Sequence, residues 1–136
     1  MFKITETYTD YDGNERTEDF YFNLTQAEIT EMELSTDGGL ETMIKELQSS
    51  KDGKRIVAVF KDLILRSYGK KSPNGRSFVK SPEISKDFSE TEAYSQIFMR
   101  LATDADYAGK FVTGIVPSGD KLPTIDAQAA VPSVVQ

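Results

Sequence analysis

The chain has no cysteine, no histidine and no tryptophan. It also has no run of about 18 apolar residues, the length needed to span a bilayer. Without thiols there is no disulfide framework, thiolate zinc site or cysteine nucleophile. Without imidazole, the usual base of serine and cysteine hydrolases and the commonest transition-metal ligand are both missing. Carboxylate chemistry survives this census, as in glycosidases or magnesium sites, but no such constellation stands out. The expectation is a non-enzyme with no cofactor and no metal. The opening residues, Met1 to Asp10, lack the basic flank and apolar core of a signal peptide, so the chain reads as cytosolic and not membrane-bound.

What is present is a modest hydrophobic fraction of 38% in 136 residues, with a mean hydropathy of -0.42 and a net charge of -6. That length suits one domain with a core of its own. The charge is segregated. Residues 1–50 carry twelve acids against three bases, residues 51–86 ten bases against three acids, and residues 87–136 seven acids against three bases. A basic middle in an acidic chain suits either an external anionic partner or its own acidic flanks. An overall pI near 4.7 speaks against a dedicated nucleic-acid binder, whose domain is normally basic.

The hydrophobic pattern changes period along the chain. Phe2, Ile4 and Tyr8 share one parity and Lys3, Thr5, Thr7 and Thr9 the other. Past Asp12-Gly13, Phe20, Phe22 and Leu24 alternate with Asp19, Tyr21 and Asn23. Period two on both sides of an Asp-Gly turn predicts a β-hairpin over 2–24. The tract Asp10-Tyr11-Asp12-Gly13-Asn14-Glu15 faintly resembles a calcium loop but lacks its full spacing and terminal glutamate, which favours a plain turn. A lone hairpin is marginal in water, so it must pack on the helices that follow.

Those helices are predicted within 25–115. Thr25-Gln26-Ala27-Glu28 is a capping box that opens a short acidic helix ending before Asp37-Gly38-Gly39. Leu40, Met43, Ile44 and Leu47 repeat at helical spacing up to Asp52-Gly53. Ile56, Val59, Phe60, Leu63 and Ile64 then form the strongest amphipathic stripe in the chain, closing at Ser67-Tyr68-Gly69. Residues 70–82 read as a polar loop, with a turn at Ser72-Pro73-Asn74-Gly75 and a short extended piece at Phe78-Val79. A second capping box at Ser89-Glu90-Thr91-Glu92 starts a helix with Ala93, Tyr94, Ile97, Phe98, Leu101 and Ala102 inward. Asp104 to Phe111 forms a further short helix or the last turns of that one. Residues 117–136, with three prolines and no period, read as a flexible tail. The expected architecture is α+β: a single domain over 1–116, an N-terminal hairpin on a mainly helical body, and a tail.

One ordered set of tracts carries a resemblance. It runs through Lys61-Asp62-Leu63-Ile64-Leu65, Ser67-Tyr68-Gly69, Lys71-Ser72, Gly75-Arg76 and Phe78-Val79-Lys80-Ser81. It continues with Phe88, Thr91-Glu92-Ala93-Tyr94, Phe98, Leu101-Ala102-Thr103 and Phe111 to Pro117. The set covers a little under half the chain, and its order and spacing resemble the tail assembly chaperones of long-tailed phages infecting Gram-positive bacteria. The resemblance implies a protein of the host cytoplasm that coats the long helical tape-measure protein and keeps it soluble. It further implies that the protein helps tube subunits polymerise and leaves before the virion matures. The tape-measure protein is the implied partner, the tail-tube protein a further one, and self-association is expected. In many such relatives a frameshift adds a longer second product.

Such a role needs apolar helix faces to offer a helical partner and acidic surface elsewhere. The residues singled out for partner binding are Tyr68, Lys70, Lys71, Arg76, Phe78, Lys80, Tyr94 and Phe98, with the basic segment from Lys54 to Lys80 steering acidic stretches of the partner. The plainer reading stands beside each. Tyr94 and Phe98 suit ordinary core, the four cations suit a solvated loop, and Tyr68-Gly69 suits a helix end. Two rival functions remain open: a virion structural protein of the tail or head–tail region, and a small nucleic-acid-binding regulator using the loop from Lys70 to Lys80, whose binding would fall steeply with salt.

Overall fold

The hairpin expected from the period-two pattern forms in full. In the computed structural model, which describes residues 1–34, 39–49 and 51–117, strand β1 (Phe2–Thr9) pairs antiparallel with β2 (Glu15–Phe22). The register runs from Phe2 opposite Phe22 to Thr9 opposite Glu15. The turn is tied by the Asp10 carboxylate, which accepts from the backbone N–H groups of Asp12 and Asn14, while Gly13 takes φ 86°, a left-handed value that glycine adopts without steric penalty. Ile4, Tyr8, Phe20 and Phe22 are buried on one face. The other face is polar, with Thr5 donating to Asp19 at 2.6 Å and Thr7 bonded to Thr17 at 2.8 Å. Glu6 shares the buried face, which hydrophobicity alone does not foretell.

Helix α1 (Gln26–Glu33) starts at the Thr25 capping box, with both reciprocal bonds present. Helix α2 (Gly39–Ser49) buries Leu40, Met43 and Ile44. Helix α3 (Gly53–Ser67) is capped by the Asp52 carboxylate and buries Val59, Phe60, Leu63 and Ile64, with Ile56 half-buried. The expected stop at Asp37-Gly38 lies outside the described residues, as does the tail after Pro117.

The stretch read as a polar loop over 70–82 is instead structured. Strand β3 (Tyr68–Lys71) follows α3 without a break and pairs with β2 through Tyr21–Gly69 and Phe22–Tyr68. Strand β4 (Phe78–Val79) returns against it after the Ser72–Gly75 turn. The sheet is antiparallel in the order β1-β2-β3-β4. Helix α4 (Pro82–Ser89) comes next, with Ser81 as N-cap and proline in its first turn, where the missing N–H costs nothing. The capping box placed at Ser89 is therefore wrong. Ser89 ends α4, and the N-cap of α5 (Glu92–Thr103) is Thr91, whose hydroxyl accepts from the Tyr94 N–H. On α5, Ala93, Ile97 and Leu101 are buried, Tyr94 and Phe98 are half-buried, and Ala102, expected inside, is exposed.

Helix α6 (Ala105–Ile115) is a separate element. Asp104 is at once the C-cap of α5 and the N-cap of α6, its carboxylate accepting from the Tyr107 N–H. No helix among the described residues is long and apolar enough to cross a membrane.

The core lies between the inner face of the hairpin and the helices. Its fully buried members include Phe22, Phe88, Phe111, Leu63, Ile64 and Ile97. Burying one such side chain stabilises the fold by about 1.5–3 kcal/mol. At the edge of this core, Phe2 stands edge-on to Phe111 and Tyr107, at 5.7 and 5.9 Å between centroids. Gly114 makes room for it, since a Cβ there would lie 2.5 Å from the Phe2 ring.

Candidate partner-binding surface

The expected contact residues fall in two adjoining places, the β3–β4 hairpin and the outer side of α5. Tyr68 begins β3 and is only 6% exposed. Its ring stacks on Phe88 of α4 at 4.0 Å and 14°. Phe88 meets Tyr94 edge-on at 5.5 Å, and Tyr94 lies 6.1 Å from Phe98. Tyr68, Phe88, Tyr94 and Phe98 thus form a continuous aromatic path from buried sheet to half-exposed helix. Such contacts add about 0.5–1.5 kcal/mol per pair beyond area burial. Phe88, the link that joins the others, was not among the residues expected to bind. Its signal was available in Ile84 and Phe88, four apart behind a Ser-Pro helix start.

The cations divide by what they touch. Lys80 is fixed inside the fold, donating to the Asn23 carbonyl and to the Glu28 carboxylate, each at 2.7 Å. Burial pushes the Glu28 carboxyl up, but the bonds from Lys80 and from the Thr25 backbone outweigh it and hold that carboxyl below its ordinary range. Lys71 sits over the Tyr21 ring at 4.3 Å. Lys70 and Arg76 are exposed, and their side chains make no ion pair or hydrogen bond among the described residues. Phe78 is half-buried and packs over Gly69, where a Cβ would lie 2.7 Å from the phenyl ring. The pieces available to a partner are therefore Lys70, Lys71 and Arg76 on the hairpin, with Tyr94, Phe98 and the exposed Met99 on α5. Tyr68, Phe78 and Lys80 hold them in place.

Chemistry is sparse on this surface. Among the described residues there is no group of three or more acidic side chains placed to hold a metal ion. Burial pushes the phenols of Tyr68 and Tyr94 up, the Asp87 and Glu18 carboxylates adding to the shift at Tyr68. A raised phenol is a neutral hydrogen-bonding group at physiological pH, neither a nucleophile nor a base.

The deciding comparison is with known families. The phage tail assembly chaperone family matches residues 1–132. The chain belongs to that family. The match extends the resemblance seen after Phe60 back through the hairpin, so β1, β2 and the first two helices lie within the matched region. No curated protein and no solved structure matches the chain.

Proposed function

We propose that this chaperone binds the tape-measure protein of a tailed phage in the host cytoplasm, keeps it soluble while the tube forms around it, and is absent from the mature virion. Family membership over nearly the whole chain carries the reading. The half-exposed aromatic and sulfur side chains of α5 and the exposed cations of β3–β4 support it. Tyr94, Phe98 and Met99 offer an apolar strip for a helix of the partner, while Lys70, Lys71 and Arg76 attract its acidic stretches. Each contact is small, so several copies act along one tape-measure chain and self-association assists them. Catalysis has no part in this role.

Co-expression with the tape-measure protein encoded alongside it tests the reading. The expected result is a soluble tape-measure protein only when the chaperone is present, and no chaperone in purified particles. A tape-measure protein equally insoluble with and without it, together with stoichiometric amounts of this chain in mature particles, would instead establish the virion structural role.

A further inference from the structure

We propose that the open edge of β2, at Thr17 and Asp19, takes an extended acidic segment of a partner protein as an added strand, with Lys70 and Lys71 holding its carboxylates. The α5 strip plays no part in this site, and the occupant is defined by its chemistry, whichever protein supplies it.

The ladder between β2 and β3 ends at the Tyr21–Gly69 pair. Continuing that register would set Asp19 opposite Lys71, but Lys70 and Lys71 pair only with Val79 and Phe78 of β4, on the far side of β3. The Asn23 N–H reaches across to the Ser67 carbonyl, and the backbone groups facing one side of an antiparallel strand recur every second residue. Tyr21, Asp19 and Thr17 therefore follow Asn23 on the side away from β1. The opposite strand agrees: Thr7, paired with Thr17, turns its carbonyl away from β2 to accept from Gln96. The N–H and C=O groups of Asp19 and Thr17 thus face outward with no backbone partner among the described residues. Such an edge is a template for an added strand.

Where the strands part, a cleft of about 540 Å³ opens, with Asp19 and Phe20 on one wall and Gly69, Lys70 and Lys71 on the other. Its charges are not equivalent. Glu18 is paired with Arg16 and also accepts from the Tyr8 hydroxyl. Asp19 turns its carboxylate back over β1, accepting from the Thr5 hydroxyl at 2.6 Å. Lys70 and Lys71 are exposed and have no ion pair or hydrogen bond among the described residues. One unpaired acid therefore faces two unpaired lysines, and the balance left to a ligand is positive.

Successive side chains on a strand point to opposite faces. Lys71 lies on the polar face of the sheet, its Nζ 4.3 Å from the Tyr21 ring. Lys70 takes the other face, where it also lines the hollow beside Phe20 and Phe88. An added strand alternates in the same way, so a carboxylate on either of its faces meets a lysine. Glu15, exposed at the far end of the edge, sets the acidic residue of the segment at the Asp19 end.

The test uses the whole chain and three blocked synthetic peptides, followed by amide NMR. They are Thr-Val-Glu-Val-Thr, the same peptide with lysine for glutamate, and the glutamate peptide N-methylated at every residue. The glutamate peptide is expected to bind saturably and to slow hydrogen exchange at the Thr17 and Asp19 amides. Its affinity should exceed that of the lysine peptide at least about fivefold, within reach of two exposed charge pairs. The N-methylated peptide keeps the charge but has no N–H to donate to the edge, and it should not bind. K70Q/K71Q, at exposed positions, should remove the preference for glutamate and leave Tm nearly unchanged. Absence of saturable binding overturns the proposal. So does equal affinity for the glutamate and lysine peptides, equal binding of the N-methylated one, or an unchanged preference in the double variant. Protection of Thr17 and Asp19 in the free protein overturns it too. Protection that rises with concentration assigns the edge to a second copy, and protection that does not assigns it to this chain's own residues. None of these outcomes bears on whether the tape-measure protein is kept soluble, which the co-expression experiment decides separately.

Discussion

The two flanks of the hairpin are finished differently. On the β1 flank, side chains of α5 close the middle of the strand. Glu6, 5% exposed, accepts from Gln96 at 2.7 Å and from Arg100 at 2.5 Å, and Gln96 also takes the Thr7 carbonyl at the strand edge. Arg100 in turn lies over the Tyr107 ring at 5.0 Å, and Phe2 seals the end against α6. On the β2 flank the ladder ends after two residue pairs, and the short β3–β4 hairpin carries Lys70 and Arg76 in solvent and Lys71 over the Tyr21 ring. The same two strands thus carry a locked side and an open side. Buried polar contacts are concentrated on the first, and the exposed cations of the β3–β4 hairpin lie on the second.

That division predicts graded effects. The largest should come where the flanks meet, at Phe88, which touches Phe20, Phe22, Tyr68 and Tyr94. Phe88→Ala is expected to cost about 3–5 kcal/mol in urea unfolding, the usual range for a buried phenylalanine. A loss under about 1 kcal/mol would mean that the aromatic path does not join the two sides.

Next, on the locked flank, Arg100→Ala leaves the buried Glu6 carboxylate with Gln96 alone. A cost of about 2–3 kcal/mol is expected, short of a fully buried pair because Arg100 is 40% exposed. Arg76→Ala on the open flank should stay within about 0.5 kcal/mol by the same measurement. Equal effects from the two arginines would erase the contrast.

At the root of the open hairpin, Gly69→Ala drives a Cβ to 2.7 Å from the Phe78 ring and 2.9 Å from the Val79 carbonyl. An overpacking cost of about 1–3 kcal/mol is expected, with NMR shifts confined to β3 and β4. Shifts spreading through β1 would show the flanks to be coupled.

Lys80→Ala should cost about 1 kcal/mol at neutral pH. Because Lys80 helps hold the folded Glu28 carboxyl below its ordinary range, that contribution is present above the unfolded carboxylate pKa and is lost as pH falls through the folded one. The gap between wild type and variant should therefore close on acidification. A gap independent of pH would assign Lys80 to the Asn23 carbonyl alone.

The locked flank was largely legible in the sequence because its signals are periodic. Alternation from Phe2 to Leu24 located the hairpin, the Thr25 box located α1, and the stripe from Ile56 to Ile64 located α3. What escaped was set by distance or brevity. Glu6 breaks the alternation, and its partner Arg100 stands 94 residues away, so nothing local marks it as inward. Strand β3 has four residues and β4 two, too few for a period to appear, and α4 offers only Ile84 and Phe88. The proline at 82, read as a loop residue, was in fact the start of a helix. The aromatic residues singled out were legible as neighbours, since Tyr68, Tyr94 and Phe98 do lie on one path through Phe88. The structural duty of Lys80, bonded to residues more than fifty positions earlier, was not.

The shared cap at Asp104 has a mechanical consequence. With one residue serving both helices, the corner between α5 and α6 contains no slack. An insertion of a single residue there would turn α6 by about 100° around its axis, swinging Phe111, Val112 and Ile115 out of the interior and withdrawing the Ile115 carbonyl from the Leu24 N–H. A displacement of α5 is therefore passed through this joint to α6 and, by way of the Leu24–Ile115 bond, to the end of the hairpin.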